Sequence, residues 1–268
     1  MTRPITFLSD YGYSDDFVGV CHGVIATICP DARVIDVAHG LERHGVRPAA
    51  VMLRNALPYM PPGIHLAIVD PEVGSARRAV ALVVAGERIL LGPDNGLLMP
   101  AAVAFGGVRE AFDVTRSSVL SPSRSATFHG RDVFAPIAAH LAGGALLEEL
   151  GERLDPGALA PLELPAPRVE PGLLRAHVLY LDHFGNAQLD ATLAELEAAG
   201  IAADGPVELE SAGERYFGVT ARTFADVRTG EILLFQDSSG ALAVAINRGD
   251  AAETLQLGWD SEVSIRPA

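Results

Sequence analysis

The sequence predicts an α/β N-terminal domain with a mainly parallel, helix-covered sheet, followed by a smaller, mostly antiparallel and barrel-like β domain. Three observations predict this arrangement. Apolar runs of strand length alternate with helical patterns over the first 150 residues, as in sheets whose strands are joined by crossover helices. Residues 155–172 contain five prolines, which is typical of a linker. Short strand-like runs without long helices between them follow the linker.

The domain boundaries follow from the proline-rich stretch. We predict an N-terminal domain over residues 1–160, a linker over 161–172 and a C-terminal domain over 173–268. Hydrophobic periodicity in the first domain predicts strands at 4–8, 34–37, 64–69, 79–84 and 88–92, and helices at 17–28, 47–57, 97–105 and 137–141. The same criterion in the second domain predicts strands at 174–181, 206–209, 231–235, 242–246 and 262–265, and one helix at 189–199.

The first predicted strand runs into the polar segment SDYGYSDD. The carboxyl ends of strands in an open α/β sheet face the ligand crevice, so Asp10 is a candidate for binding a ribose diol or a metal. Ser14 or Asp15 is predicted to cap the following helix, which Pro30 stops. We expect at least one of Asp15 and Asp16 to serve this capping role alone.

The segment IVDPEVGSARRAV joins two apolar runs that both read as buried strands. Asp70 stands where the first run ends, and Arg77 and Arg78 follow within one short loop. Sites in α/β proteins are often built this way. A turn stabilised by an Asp–Arg ion pair explains the same residues, so the segment alone leaves both interpretations open.

A second polar cluster, FHGRD, enters an apolar helix near residue 130. His129 alone is more simply interpreted as a structural histidine. It is followed by Gly130, Arg131 and Asp132, which have no evident role in a core. Together with these neighbours, His129 slightly favours a functional site.

Composition limits the classes of partner. The net charge of −14 and the pI of 4.9 argue against nucleic acid and anionic membranes, and they permit a cationic small molecule. Cys21 and Cys29 lie in an apolar segment without zinc-ligand spacing and are predicted to be buried free thiols. We find no apolar run of membrane-spanning length and no signal sequence, and we expect a cytoplasmic protein.

Several catalytic signatures are missing from the sequence. It has no GxGxxG after a strand, no GxxxxGK[ST] and no GxSxG elbow. One other class remains open at this point, a metal-dependent phosphoesterase that uses Asp10, Asp15, Asp16 and a histidine.

Seven segments in register resemble the S-adenosylmethionine hydroxide adenosyltransferase family, whose relatives include fluorinating and chlorinating enzymes. The segments are SDYGYSDDFVG, CPDARVIDVAH, IVDPEVGSARRAV, GPDNG, FHGRDVFAP, DHFGNAQLD and AINRGDAA. Each is weak alone, but together they cover nearly the whole chain. The resemblance implies attack of water or hydroxide on the ribose C5′ of S-adenosyl-L-methionine, which releases adenosine and L-methionine.

The resemblance also assigns residues and partners. It places the catalytic roles on Asp70, Arg77 and His129, with Arg77 preferred to Arg78 because it keeps the family's spacing from the aspartate. The implied substrate-binding positions are Asp10, Asp15, Asp182, Phe184, Asn186, Ser238, Asn247 and Arg248. No metal and no cofactor are expected. The implied assembly is a homotrimer whose ligand lies between the N-terminal domain of one subunit and the C-terminal domain of the next.

The halogenating relatives differ from this sequence at three implied positions. They carry an inserted loop where this chain has only residues 85–87 between two strands, a tyrosine at the position of Asp70, and a halide-binding serine at the position of Gly130. The resemblance therefore favours hydrolysis over halogenation. A non-catalytic adenosine or S-adenosylmethionine sensor, in which Asp70 and Arg77 form a structural ion pair, is the alternative to an enzyme. One departure concerns His44, which stands where the halogenases have an aromatic wall against the ribose.

Overall fold

A computed structural model describes residues 2–268 of the chain. The chain divides into two compact units, one ending at Leu162 and one spanning Glu163–Ala268. The first unit is a helix-covered sheet in which most strands run in one direction, and the second is a closed, mainly antiparallel sheet. The predicted fold class is therefore confirmed.

The first unit contains seven strands and five α-helices within its described residues. The strands are β1 (Ile5–Ser9), β2 (Val34–Ala38), β3 (Ile64–Ile68), β4 (Ala79–Val84), β5 (Arg88–Pro93), β6 (Glu110–Asp113) and β7 (Glu152–Leu154). The helices are α1 (Phe17–Ile28), α2 (Val46–Ala56), α3 (Met99–Ala104), α4 (Ala135–Ala142) and α5 (Leu147–Leu150). The strand order is β2-β1-β3-β5-β4-β6-β7.

The sheet combines a parallel half with an antiparallel edge. Strands β2, β1, β3 and β5 are parallel, whereas β4 is antiparallel to both of its neighbours, β5 and β6. Strands β6 and β7 were not predicted, because their sequences EAFD and ERL are short and carry charged residues. Such composition is common at a sheet edge and gives little periodic signal.

Two apolar cores cover the two faces of this sheet. Phe7, Leu66 and Ile68 pack with α1 and α4, whereas Leu8 and Ala67 pack with α2 and α3. Successive strand residues point to opposite faces, so both sets must be apolar in a doubly covered sheet. This explains why the parallel strands read as continuous hydrophobic runs.

The order in which strands are added to the sheet switches sides at β1, so that β2 and β3 lie on opposite sides of it. From β1 the chain moves outward to β2 through α1, and then returns through α2 to pair β3 with the other side of β1. Ligands in open α/β sheets bind at such a switch point, at the carboxyl ends of the strands. Asp10 follows β1 directly and Asp70 follows β3 after one residue, so both acids lie at this position.

His65 is a fully buried histidine in the middle of the parallel sheet. Its Nδ1 lies 2.9 Å from the Thr6 hydroxyl, and its Nε2 has no hydrogen-bond partner among the described residues. Burial, with a smaller contribution from the Arg88 guanidinium, lowers the pKa of His65 from 6.5 to about 4. The folded protein therefore holds this ring neutral at pH values where an unfolded chain protonates it.

We expect His65 to make the protein acid-labile. Because the folded pKa lies below the unfolded value, the stability is fully present above pH 6.5 and is lost as the pH falls toward 4. The pKa difference corresponds to about 3 kcal/mol. Urea unfolding of the wild type and of His65→Met at pH 7.5 and 4.5 measures how much free energy of unfolding each protein loses on acidification. The variant is expected to lose less stability on acidification, and equal losses would contradict the assignment.

The second unit is a closed sheet of seven strands with an eighth strand on its outside. The strands are β8 (Arg168–Glu170), β9 (Leu173–Leu181), β10 (Ala187–Leu189), β11 (Pro206–Ser211), β12 (Glu214–Thr220), β13 (Ile232–Gln236), β14 (Leu242–Ile246) and β15 (Glu262–Pro267). Their order is β10-β14-β13-β12-β11-β15-β9-β8, and a β10–β9 pairing closes the ring. All pairings are antiparallel except β12–β13. The helices are α6 (Leu193–Ala198) and α7 (Ala251–Thr254).

Two simpler predictions can also be compared with the structure. Cys21 and Cys29 are buried free thiols, as predicted. None of the helices within residues 2–268 is long and apolar enough to cross a membrane.

Candidate active site

A cleft of ≈ 500 Å³ opens at the carboxyl ends of β1 and β3, which is a volume typical of small-molecule sites. Its walls come from the segments that follow β1, β2 and β3 and from the segment before α4. The lining residues are Asp10, Tyr11, Gly12, Ser14, Asp15, Phe17, Gly40, Leu41, Arg43, His44, Asp70, Val73, Thr127, Phe128, His129 and Gly130.

Asp70, Arg77 and His129 form one connected polar group at this cleft. Arg77 Nε donates to both carboxylate oxygens of Asp70, at 2.9 and 3.0 Å, and its Nη2 also bonds to Asp70. The same Nη2 lies 2.8 Å from Nδ1 of His129. The side chains of Arg77 and Asp70 are only 4% and 6% exposed, so the ion pair is shielded from bulk water. The guanidinium also lies over the ring of Phe134, 5.3 Å from its centroid.

This contact determines the tautomer of His129. A guanidinium can only donate hydrogen bonds, so Nδ1 of His129 accepts and its ring proton is on Nε2. Burial and the nearby Arg77 charge lower the pKa of His129, which keeps the ring neutral near pH 7. The group therefore presents a carboxylate acceptor on Asp70 and an N–H donor on His129.

Arg78 has a different role from its neighbour Arg77. Its Nε donates to Asp94 at 2.8 Å, and its Nη2 donates to the carbonyl oxygen of Ala158. The structure therefore brings Arg77, not Arg78, together with Asp70 and His129.

Two backbone features hold the loops that carry Asp70 and His129 in place. Gly74 has a φ of +84°, and a Cβ there would lie 2.7 Å from the carbonyl oxygen of Ala126, so the loop after β3 packs closely on the segment before His129. A π-helical turn, Gly130–Phe134, then leads into α4. Such turns are rare and often occur at functional sites. Asp132 fixes the approach by accepting the backbone N–H of Ser125 at 2.8 Å.

Asp10 and Asp15 both line the cleft, but they are held differently. Asp10 accepts the backbone N–H of His44 at 3.0 Å, and His44 has a left-handed φ of +65°. Strained backbone of this kind often marks a ligand site. The predicted capping role of Ser14 or Asp15 is wrong: helix α1 begins after Asp16, which makes no side-chain cap, and this leaves the exposed Asp15 on the cleft wall.

An aromatic wall was missed in the sequence. The rings of Tyr11, Phe17 and Phe128 pack against one another with centroids 5.0 to 6.0 Å apart. Burial raises the pKa of Tyr11, so its phenol stays protonated. The signal was present in the segments YGYSDDF and FHGRD, but only the fold brings their rings together.

The predicted binding residues of the second unit fall into two places. Asp182 organises a turn, because its carboxylate accepts the backbone N–H groups of Phe184 and Asn186 at 2.8 and 2.9 Å and the Asn186 side chain at 2.8 Å. Phe184 is 74% exposed on this turn. The segment after β14 lies beside it, since the N–H of Ala252 donates to the carbonyl of Gly185 at 2.9 Å.

The segment after β14 contains Asn247 and Arg248, whereas Ser238 precedes β14. Asn247 donates to the carbonyl of Val227 at 2.8 Å, and Arg248 is exposed with a φ of +60°. The strand separates them from Ser238 by its full length, which is about 17 Å for five residues. The structure therefore brings Asp182, Phe184, Asn186, Asn247 and Arg248 to one end of this sheet and places Ser238 at the other.

Comparison with protein families identifies both units. Residues 5–151 match the N-terminal domain of the SAM hydroxide adenosyltransferases, and residues 176–264 match the C-terminal domain. The chain belongs to the SAM hydroxide adenosyltransferase family. The resemblance found in the seven sequence segments is thereby confirmed.

Individual members of this family match over nearly the whole chain. An (R)-S-adenosyl-L-methionine hydrolase of Salinispora tropica is 49% identical over 94% of this chain and 93% of its own length. A fluorinase of Actinoplanes is 30% identical over 98% and 97%. The crystal structure of an uncharacterized conserved protein from Thermotoga maritima superposes with a TM-score of 0.90 at 34% identity, covering 98% of this chain and 99% of that one.

Two structural details concern positions at which the resemblance distinguishes halogenating relatives from this chain. Residues 85–87 form a tight connection between β4 and β5, with no inserted loop. At Gly130, the position that the resemblance assigns to the halide-binding serine of these relatives, an added Cβ would collide with the hydroxyl of Tyr11. The space for a serine side chain is therefore already filled.

Proposed function

We propose that this protein hydrolyses S-adenosyl-L-methionine at the ribose C5′, giving adenosine and L-methionine. The observation that carries the proposal is the connected group of Asp70, Arg77 and His129 at a cleft that Asp10 also lines. The family membership and the hydrolase at 49% identity support the same reaction.

The polar group suits the handling of one water molecule. Asp70 offers an acceptor for a water proton, and the Nε2–H of His129 offers a donor to the water oxygen. Arg77 holds both side chains in place, so the nucleophile is oriented before the substrate reacts. As the O–C5′ bond forms, the C5′–S electron pair passes to sulfur and the water proton passes to Asp70, which returns it to solvent.

The substrate itself explains why this chemistry needs no cofactor in our proposal. The leaving group is a sulfonium, which departs as a neutral thioether and requires no electrophilic assistance. Its positive charge disperses as the bond breaks, so a low-polarity wall such as Tyr11, Phe17 and Phe128 favours reaction. We expect Asp10, which accepts the backbone N–H of His44, to accept charge-assisted hydrogen bonds from the two ribose hydroxyls as well.

Water is favoured over a halide by the same residues. Asp70 repels an anion at the nucleophile position, and Gly130 offers no hydroxyl to hold one. The collision with Tyr11 adds a steric reason, because even a Gly130→Ser substitution would have to displace this partly buried ring before its hydroxyl entered the cleft.

The relative at 49% identity is named for the (R) form of the substrate. We therefore propose that this protein also acts on the (R) epimer at sulfur. Residue patterns carry no signal for this preference, which depends on the shape around the sulfonium.

The experiment is product analysis with each sulfonium epimer. Purified protein is incubated with (R)- or (S)-S-adenosyl-L-methionine in excess chloride, and the products are separated by chromatography. We expect equal amounts of adenosine and methionine, formed faster from the (R) epimer. Formation of 5′-chloro-5′-deoxyadenosine would overturn the preference for water. A stoichiometric complex without turnover would favour a sensor.

The proposal also covers the assembly, the partners and the location of the protein. We expect a homotrimer in which the C-terminal domain of a neighbouring subunit completes each site, as the family resemblance implies. The exposed Phe184, on a turn with Asn186, supports a binding role for that domain. Neither nucleic acid nor a membrane is expected as a partner of this acidic chain. The expected location is the cytoplasm.

A further inference from the structure

Two histidines and one aspartate converge at the outer edge of the sheet, apart from the catalytic group. His22 projects from α1, Asp36 lies on the edge strand β2, and His39 follows β2. The donor atoms of these three side chains lie within 4.8 Å of one another. None of the three was assigned a role by the sequence, and none belongs to the acidic cluster of Asp10, Asp15 and Asp16.

Both imidazoles face the same carboxylate oxygen. Nε2 of His22 lies 2.9 Å from Oδ1 of Asp36, and Nε2 of His39 lies 3.1 Å from that oxygen. A single oxygen that faces two ring nitrogens at these distances leaves little room for anything except a proton or a small cation between them.

His39 provides a second, independent observation. It is 1% exposed, and its Nε2 is a buried polar atom that makes no hydrogen bond of good geometry, although it lies 3.1 Å from Oδ1 of Asp36. Its other nitrogen, Nδ1, lies 2.7 Å from the hydroxyl of Ser9. If Nδ1 donates to Ser9, the Nε2 lone pair points toward an anionic oxygen, which is unfavourable without a cation.

We propose that His22, Asp36 and His39 form a binding site for a divalent transition-metal ion of the zinc class. Two imidazoles and a carboxylate are a ligand set that zinc accepts, with one position left for water. Ligands about 2.0–2.1 Å from a tetrahedral zinc are about 3.3 Å from each other, so the 2.9 and 3.1 Å separations need only small side-chain shifts.

The surroundings fit this assignment. Metal-bound histidines usually hydrogen-bond through their other ring nitrogen, and the Ser9 hydroxyl offers this contact to Nδ1 of His39. When the hydroxyl accepts the Nδ1 proton, Nε2 is free to bind an ion. His22 and Asp36 have side chains 35% and 34% exposed, which gives an ion an entry path and leaves water at the open position. The net charge of −14 favours cation binding.

The site is a structural one, behind the substrate cleft. Ser9 precedes Asp10, and the carbonyl of His39 accepts the N–H of Gly12 at 2.7 Å. An ion would join α1 and β2 to the segment that carries Asp10, and we expect it to stabilise this segment without taking part in the reaction.

Cobalt binding tests the proposal. Chelator-treated protein is titrated with Co²⁺, and its visible absorption reports the coordination. We expect one Co²⁺ per chain, with the intense bands of a four- or five-coordinate ion, displaced by Zn²⁺. His22→Gln and Asp36→Asn are each expected to weaken binding at least 100-fold, and Ser9→Ala about 10- to 100-fold.

The control is His140→Gln, which removes a partly buried histidine on α4 outside the cluster. It should bind Co²⁺ as the wild type does, and circular dichroism verifies that each variant is folded. Absence of binding to the wild type at millimolar Co²⁺, or equal affinity in His22→Gln and wild type, would overturn the proposal. Either result would leave the hydrolysis proposal untouched, because the readout does not use turnover.

Discussion

Asp70→Asn is expected to lower kcat for adenosine formation about 10²- to 10⁴-fold, which is the usual contribution of one positioned acid–base group. The amide keeps the shape of the side chain, but it cannot take a proton from water. The NH₂ group of the asparagine would also face either the Arg77 guanidinium or the attacking water, where the aspartate has an acceptor oxygen. Steady-state kinetics at saturating substrate measure the change, and KM is expected to move much less than kcat.

The chain contains a matched control for this substitution. Asp94 is also 6% exposed and also pairs with an arginine, Arg78, but it does not line the cleft. Asp94→Asn should therefore lower stability through the same kind of lost ion pair while leaving kcat unchanged at a temperature where both variants are folded. Undiminished turnover by Asp70→Asn would remove Asp70 from the reaction.

Arg77→Gln is expected to affect stability and activity together. Removing the guanidinium leaves the carboxylate of Asp70 buried without its partner, which typically costs about 3–5 kcal/mol. It also frees His129 to rotate, so we expect kcat to fall at least 100-fold. Arg78→Gln should have a smaller effect on stability, because Arg78 is 32% exposed, and it should keep kcat.

The pH profile distinguishes this role from a purely structural one. The charge of Arg77 helps to lower the pKa of His129, so its removal should raise that pKa. If neutral His129 is required, activity falls as the pH drops through this pKa. In Arg77→Gln, the acidic limb of the profile of residual activity against pH should then move to higher pH. An acidic limb at the wild-type position would show that Arg77 does not act through His129.

The sequence alone was sufficient to locate one edge of the site. Carboxylates directly after two apolar runs predicted that Asp10 and Asp70 would lie at strand ends, because parallel strands expose their carboxyl ends together. The residues by themselves offered no basis for choosing between the adjacent Arg77 and Arg78, and the preference for Arg77 came from the spacing that the resemblance implies. In the structure, the positions of Asp94 and His129 distinguish the two arginines.

Other features depend on packing that no local pattern encodes. The contact of Tyr11 with Gly130 joins segments more than a hundred residues apart, and the cluster of His22, Asp36 and His39 requires α1 to lie beside β2. Strand β6 and the edge strand β7 were missed because charged residues interrupt their apolar periodicity.

The central claim is that water bound by Asp70, Arg77 and His129 attacks C5′. It is tested most directly by turnover of S-adenosyl-L-methionine in ¹⁸O-labelled water, with the products analysed by mass spectrometry. The proposed reaction places one ¹⁸O in adenosine and none in methionine, because only the C5′–S bond breaks. Unlabelled adenosine, or methylthioadenosine with homoserine from attack on the amino-acid side of the sulfonium, would contradict it.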